Sequence, residues 1–166
     1  MKRRTFIAGT AAAGAAVFSV PVVQSCSLFR DKKESDNNSD ADFEINEITL
    51  TQFQQYLQSG KYTSEKLVSL YLDRIERIDK AGPKLNSVIE INPDVIEISL
   101  QLDKERKSGK IRSPLHGIPI LIKDNIDSAD KMLTTAGSMA MTSSPAKKDA
   151  YIVTCMREAG AIIMGK

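Results

Sequence analysis

A lysine at the end of an apolar run is the residue of this sequence best placed to do chemistry. The run 117–122 contains large aliphatic residues and changes abruptly into Lys123, Asp124 and Asn125. A lysine in such a place is often only a solvated cap. An apolar surrounding, however, disfavours the charged ammonium, and a neutral lysine amine can act as a general base. A base requires a nucleophile, so Lys123 alone does not define a reaction.

The polar residues near Lys123 are candidates for supporting roles. We expect Asp124 and Asn125 to orient the lysine and its loop through hydrogen bonds rather than to react, although both are also ordinary turn residues. Three hydroxyl residues of the following loop could line a substrate pocket or simply belong to the loop: Thr134, Thr135 and Ser138.

The single histidine, His116, and the two cysteines, Cys26 and Cys155, do not form a metal-ligand pattern. His116 precedes a Gly-Ile-Pro turn without an acidic partner nearby, which favours a structural hydrogen bond over catalysis. The two cysteines lie in such different contexts that we expect no disulfide between them, and Cys155 fits a small core position on a helix. We predict neither a metal nor an organic cofactor.

The charge pattern argues against nucleic-acid binding. The whole chain has 23 cationic and 21 anionic side chains, but Lys2, Arg3 and Arg4 supply three of the cations. Without its first 25 residues the chain is close to neutral. A nucleic-acid surface requires Lys and Arg clustered on one face, and the remaining sequence has no such cluster.

Hydrophobic periodicity predicts the elements that position these residues. A first helix ends before Gly60, a second begins after the N-cap Thr63, and a third begins at the Asn92-Pro93 signal and closes before Gly109. In chain order we predict helices over 52–59, 64–79 and 92–108, with a short β-branched run over 87–92 between the last two.

The second half of the chain predicts a parallel sheet. The apolar run 117–125 is typical of a buried strand, a loop covers 126–148, Asp149 caps a helix that ends at Gly160, and a strand follows over 161–164. A strand, helix, strand order places the strands parallel in a covered sheet, with ligands at their carboxyl ends, where Lys123 lies. Two or three such strands do not complete a sheet, so we expect the front portion of a longer domain.

The first 26 residues predict an export signal. Lys2, Arg3 and Arg4 precede an Ala-rich run over 6–23 in the outline of a signal peptide. A transmembrane helix is the alternative, but the run is short and contains helix breakers. The residues RRTFI at 3–7 resemble a twin-arginine signal, and VQSC at 23–26 resembles a bacterial lipobox in which Cys26 is lipidated. The alternative for Cys26 is a free thiol near a cleavage site.

The stretch 30–42 is almost entirely polar, which predicts a disordered tether because it cannot bury enough surface to offset the entropy of ordering. We therefore expect a signal peptide over 1–25, an anchor cysteine and tether over 26–45, and a folded part over 46–166. This organisation predicts an exported lipoprotein held at a membrane of the bacterial cell envelope.

Three blocks of the sequence together resemble the amidase signature family: LHGIPILIKDN at 115–125, TTAGS at 134–138 and REAGAIIMGK at 157–166. The resemblance implies an α/β fold, a large α/β/α sandwich around a mixed sheet of which 46–166 is the N-terminal portion. It implies hydrolysis of a carbon–nitrogen amide bond by a lysine, a bridging serine with a cis peptide bond, and a nucleophilic serine. Only the lysine maps here, onto Lys123, because the Gly-Ser-rich segment that carries both serines follows the last block in the family and is not among these 166 residues.

The resemblance leaves three functions open. The first is an exported, lipid-anchored amidase that acts on a small-molecule amide without a cofactor. The second is the amidase-type subunit of a tRNA-dependent amidotransferase, a cytosolic member of the same family that the export signal contradicts. The third is a non-catalytic, membrane-tethered fragment. The sequence indicates neither which amide is the substrate nor an oligomeric state.

Overall fold

Helices cover both faces of a short parallel sheet in this structure, a computed structural model that describes residues 43–166. The elements are helices α1 (Leu50–Ser59), α2 (Ser64–Arg74), α3 (Val95–Lys107) and α4 (Tyr151–Glu158), and strands β1 (Pro119–Leu121) and β2 (Ile162–Gly165). A π-helical turn, Ile75–Ala81, extends α2, and a 3-10 turn, Met139–Met141, precedes α4. The predicted signal peptide, the predicted lipidation site Cys26 and the predicted tether up to residue 42 lie outside the described residues.

The start of α2 confirms the predicted N-cap and adds a second cap from another helix. The Thr63 hydroxyl accepts a hydrogen bond from Lys66 N, at 3.1 Å. The carboxylate of Asp103, on α3, accepts from Ser64 N at 2.8 Å and from Glu65 N at 3.0 Å. Since the first N–H groups of a helix lack partners within the helix, Asp103 both satisfies them and joins α2 to α3.

Several predicted helix boundaries differ from the structure, including the first helix, which begins at Leu50 rather than at Gln52. The second helix leaves the α conformation after Arg74 and continues as the π-helical turn, whose Asp79 carboxylate accepts from Ser87 N at 2.8 Å. The third helix begins at Val95 rather than directly after the predicted cap Asn92. Asn92 still bonds the turn that leads into the helix, because its Oδ1 accepts from Asp94 N at 3.0 Å while its Nδ2 donates to Ile163 O at 3.0 Å.

The last of these corrections concerns α4, which begins after Ala150 without a side-chain cap. The expected cap, Asp149, is held by tertiary contacts instead. Its carboxylate accepts from Ala129 N at 2.6 Å and pairs with Arg157 at 2.9 Å. Asp149 therefore fastens the loop before α4 to the helix itself.

The two strands are parallel, as predicted; the first is shorter than predicted, and the second lies one residue later than predicted. Pro119 pairs with Ile162 and Leu121 with Gly165, with an irregularity between Ile120 and Leu121. The run 87–92 is not a strand: Ile91 makes an isolated antiparallel bridge to Gly165. Backbone hydrogen bonds hold this segment along β2. Among residues 43–166, β1 has one hydrogen-bonded neighbour strand, which is β2.

Alternate residues of β2 feed two hydrophobic clusters, one on each face of the sheet. Ile162 and Met164 pack with the buried residues Val68, Val95 and Leu102 of α2 and α3. Ile163 points the other way and packs with Ile122, Met132 and Val153 under α4. The helices thus cover both faces, as the strand, helix, strand order predicted.

His116 has the structural role predicted for it. Its side chain is buried, and Nε2 lies 3.0 Å from Leu102 O while Nδ1 accepts from Arg112 N at 3.4 Å. Cys155 is a free thiol and is only half-buried, so the prediction of a core position is wrong. Among the helices of residues 43–166, none is long and apolar enough to span a bilayer.

Candidate active site

Lys123 lies just beyond the carboxyl end of β1, at the mouth of a cleft of about 560 Å³. Its side chain is exposed and makes no hydrogen bond or ion pair with the residues that the structure describes. The expectation that the apolar run surrounds the amine is therefore wrong for this part of the chain, because the run's buried side chains Ile118 and Ile122 pack inward instead. Lys123 thus presents its amine to the cleft.

The cleft is built by three segments that meet at this edge of the sheet. The β1 end contributes Leu121 to Asn125, the segment beside β2 contributes Ser87 to Ile89, and the loop after β1 contributes Ala136 and Gly137. Lys166, immediately after β2, completes the lining. Because the strands are parallel, their carboxyl ends bring Lys123 and Lys166 to the same edge.

Asp124 is held rigidly behind Lys123. Its side chain is 7% exposed, and its carboxylate accepts from Thr135 N at 3.2 Å and from the Thr135 hydroxyl at 2.5 Å. Burial raises the pKa of the Asp124 carboxyl, but the Thr135 hydrogen bonds and the positive charge of Lys166 outweigh it and bring that pKa below its usual value. Asp124 is thus a fixed anion that anchors the loop, and its predicted role in orienting Lys123 stays a prediction.

The three hydroxyl residues predicted for the pocket lie elsewhere. The cleft wall uses Ala136 and Gly137 from that loop, whereas the hydroxyls of Thr134 and Thr135 bond inward to other protein groups. Ser138 is exposed beyond the wall. The threonine hydroxyls therefore stabilise the wall of this cleft, and a role for these three residues in substrate binding stays a prediction.

Asn125 lines the cleft next to Asp124 and is exposed. Its side chain makes no hydrogen bond with residues 43–166, so its predicted orienting role stays a prediction. Within the same residues, His, Cys, Asp and Glu side chains form no group that could hold a metal ion.

Lys166 is the site residue that the sequence analysis missed. Its side chain is only 4% exposed, and Nζ donates to Thr134 Oγ1 at 2.6 Å and to Leu133 O at 2.8 Å. The sequence contains the signal that could have found it, since Lys166 follows the second parallel strand just as Lys123 follows the first.

A model of the Amidase family matches residues 66–166, which include β1, β2 and every described residue of the cleft. The chain belongs to the amidase family. The predicted family and its α/β fold class are thereby confirmed.

Individual amidase relatives agree with this assignment. A Schizosaccharomyces pombe protein named as an amidase is 46% identical over 121 residues, which cover 73% of this chain and 20% of that protein. The solved native peptide amidase from Stenotrophomonas maltophilia is 43% identical with a TM-score of 0.71, covering 75% of this chain and 25% of that one. A glutamyl-tRNA(Gln) amidotransferase subunit from Natranaerobius thermophilus is 32% identical, covering 74% and 24%. The chain therefore spans a fifth to a quarter of the length of these relatives.

Proposed function

We propose that the protein is an amidase that hydrolyses a carbon–nitrogen amide bond with Lys123 as its proton-transferring base. The observation that carries the proposal is the place of Lys123: an amine that no described residue engages, at the carboxyl end of a parallel strand, facing a cleft, in a chain of the amidase family. A general base must reach the proton that it removes, and this location leaves the amine accessible to a reacting group.

The reaction follows from the family resemblance. The neutral Lys123 amine takes a proton, through the bridging serine, from the hydroxyl of the nucleophilic serine as that oxygen attacks the amide carbonyl. The carbon–nitrogen bond then breaks, the proton passes to the leaving amine, and an acyl-enzyme forms that water hydrolyses. Both serines belong to the Gly-Ser-rich segment, and Asp124 and Asn125 would position the lysine.

The test is to replace Lys123 by Arg and by Ala in the full-length protein and to measure turnover on a panel of amides. The panel includes peptide amides, because a peptide amidase is among the similar solved structures. Arg keeps the positive charge but cannot lose its proton near neutral pH, so an electrostatic role would survive Lys123→Arg and a base would not.

We expect both variants to lose on the order of a thousandfold or more in kcat, as when one member of a catalytic triad is removed. Lys107→Arg, the same change at an exposed residue at the end of α3, is the matched control and should keep wild-type turnover. A folded Lys123→Arg variant with most of the wild-type kcat would make Lys123 a binding or structural cation instead.

The amidase-type subunit of a tRNA-dependent amidotransferase is a second candidate, supported by the 32% identity to the Natranaerobius thermophilus protein. It would act on glutamine together with other subunits, so glutamine belongs in the panel and co-purified subunits would favour it.

The third candidate is a non-catalytic membrane-tethered fragment. The nucleotide sequence after codon 166 tests it, because an in-frame Gly-Ser-rich segment there supports the amidase and a stop codon supports the fragment.

We further propose that the protein is exported and anchored to a membrane of the bacterial cell envelope through a lipid on Cys26. The supporting observations are in the sequence: the twin-arginine-like residues 3–7, the apolar run 6–23, the lipobox-like residues 23–26 and the polar stretch 30–42. Such an arrangement holds a folded enzyme at a distance from the bilayer.

A further inference from the structure

Lys166 is the cleft residue that the proposed reaction leaves without a role. Its side chain is 4% exposed, whereas Lys123 at the end of the neighbouring strand is exposed. Burying an ammonium group costs free energy unless the group is paired and hydrogen-bonded. The contacts that offset this cost show what the residue holds in place.

Those contacts grip the Leu133 peptide from both sides. The Lys166 ammonium donates to Leu133 O at 2.8 Å, and the Glu90 carboxylate accepts from Leu133 N at 2.8 Å. Glu90 and Lys166 are joined in turn by their backbones, since Lys166 N donates to Glu90 O at 2.9 Å and Glu90 N donates to Lys166 O at 3.2 Å. We call Glu90, Leu133, Thr134 and Lys166 the Leu133 clamp.

Residues 134–136 connect the clamp to the end of β1, where Asp124 and Lys123 lie. Thr134 accepts from the Lys166 ammonium at 2.6 Å, and Thr135 donates its backbone N–H and its hydroxyl to the Asp124 carboxylate. Ala136 N donates to Asp124 O at 3.0 Å. The segment 133–136 is therefore fixed at its start by Lys166 and at its end by Asp124, the residue directly after Lys123.

Charge supports the same arrangement. Lys166 is one of the groups that hold the pKa of the Asp124 carboxyl below its usual value, although the Thr135 hydrogen bonds contribute more. The Lys166 ammonium and the Asp124 carboxylate thus stabilise each other across the segment that both of them bind. Removing the ammonium would loosen the segment and weaken its hold on Asp124.

We propose that Lys166 is a positioning residue of the amidase site, which holds segment 133–136 so that Asp124 keeps Lys123 in its reacting position. This inference rests on the proposed function, because the position matters only if Lys123 transfers a proton. Misplacing a reacting group by about 1 Å can cost on the order of a hundredfold in rate.

The first experiment replaces Lys166 by Met in the full-length protein, which keeps the length of the stem and removes the charge and the donors. We expect kcat to fall about ten- to a hundredfold with a small change in KM, because substrate-binding groups remain. Thr134→Val should lower kcat in the same way, and Thr134→Ser, which keeps the accepting oxygen, should recover most of it.

Val68→Ala is the stability control, because Val68 is buried in the cluster on the α2 and α3 face and does not touch the clamp. It should lower the thermal midpoint and leave kcat unchanged. Wild-type kcat in folded Lys166→Met would overturn the inference, as would an equal loss of kcat in Val68→Ala. If Lys166→Met does not fold, kcat of the two Thr134 variants tests the inference instead. A wild-type kcat in Thr134→Val, or an equal loss of kcat in Thr134→Val and Thr134→Ser, would overturn it.

The second experiment does not depend on activity and separates this inference from the proposed function. Amide hydrogen exchange should accelerate in a peptide covering 133–137 of Lys166→Met and stay slow there in Val68→Ala, because Thr135 and Ala136 N–H groups are bonded to Asp124. Unchanged exchange overturns the clamp. Accelerated exchange together with full activity in Lys123→Ala would instead overturn the proposed function and leave the clamp a structural device.

Discussion

Two lysines follow the two parallel strands, and their surroundings differ completely. Lys123 is exposed and unengaged among the described residues, whereas Lys166 is buried and bonded to Leu133 and Thr134. Residue type is the same for both, but their positions differ by one residue, because Lys166 directly follows β2 whereas Ile122 separates Lys123 from β1. The loop 133–137 adds to this difference, since Leu133 and Thr134 bond Lys166 and no described residue bonds the Lys123 amine.

The sequence could predict Lys123, because an apolar run that ends in a charged residue is visible in a few neighbouring letters. It could not predict the roles of Thr134 and Thr135, because a Thr-Thr pair is common in loops and the sequence does not show which groups the two hydroxyls bond. Those partners, Lys166 and Asp124, lie 32 and 11 residues away in the chain. Hydroxyl groups that bond across such separations leave no local pattern.

Thr135 gives a residue-scale prediction about pH. The hydrogen bonds from Thr135 help to lower the pKa of Asp124, so the ionised carboxylate is favoured in the folded state. A lowered carboxyl pKa contributes stability that is present above the unfolded-state value, about 4, and is lost as pH falls through the folded-state value. Thr135→Val should therefore raise the Asp124 pKa and move the acid-induced loss of stability to higher pH.

The measurement is a carbon NMR titration of the Asp124 carboxyl, followed by unfolding free energies of the full-length protein between pH 7 and the acid limit of folding. Thr135→Ser keeps the donating hydroxyl and should titrate close to the wild type. An Asp124 titration that is the same in Thr135→Val and the wild type would show that the hydroxyl does not favour the charged carboxylate.

At the scale of elements, helix starts were predictable where the capping residue has no competing partner. Thr63 caps α2 as its sequence position suggests. Asp149, the predicted cap of α4, lies one residue before the observed N-cap Ala150, and its carboxylate instead pairs with Arg157 and accepts from Ala129 N. Asn92 makes both kinds of contact, since its Oδ1 accepts from Asp94 N ahead of α3 while its Nδ2 donates to Ile163 O. Local sequence identifies a possible cap, and tertiary contacts decide whether the side chain is free to serve.

The turn between α4 and β2 gives an element-scale prediction. Gly160 has φ +85°, and a Cβ at this position would lie 2.8 Å from His116 Nδ1 and 3.1 Å from His116 Cα. A left-handed conformation costs a residue with a Cβ about 1–2 kcal/mol, and overpacking against a buried ring costs about 1–3 kcal/mol more. Gly160→Ala should therefore destabilise the protein by several kcal/mol in sum.

Gly109, at the end of α3, separates the two costs. Its φ is +82°, and a Cβ there would meet no atom within 4 Å. Gly109→Ala should show the backbone cost alone, about 1–2 kcal/mol. Denaturant unfolding of both variants in the full-length protein measures the difference. Equal destabilisation of the two variants would mean that His116 moves aside without cost and does not fix the turn.

At the scale of the whole molecule, the lipid anchor is tested on the intact cell. We expect the mature protein to begin at Cys26, to carry a lipid and to fractionate with membranes. Cys26→Ala should shift it to a soluble or uncleaved form. Cys155→Ala removes the other cysteine and should leave lipidation and fractionation unchanged. Mass spectrometry of the mature N-terminus decides, and a lipid-free wild-type mass would end the proposal.

The last prediction concerns the 166-residue chain by itself. Its described part is large enough to bury a core, and it builds two hydrophobic clusters. Against this, β1 and β2 form a two-stranded sheet among the described residues, which depends on packing against the helices because two strands alone are marginally stable. Large apolar side chains stay exposed around the cleft side of the sheet, with Leu85 at 67%, Ile89 at 65% and Leu121 at 45%.

We therefore expect this chain alone to unfold over a broad temperature range without a single cooperative step and to bind a hydrophobic dye. We also expect it to hydrolyse no amide, because the Gly-Ser-rich segment that carries both serines of the proposed mechanism is not among these 166 residues. Calorimetry, dye fluorescence and the amide panel measure these three properties, with the full-length protein as the positive control. A sharp transition whose calorimetric and van't Hoff enthalpies agree would show that two strands and four helices suffice to fold. If that folded chain also hydrolysed amides and resisted serine-directed inhibitors, its nucleophile would lie within these 166 residues, and the serine mechanism proposed for Lys123 would have to be withdrawn.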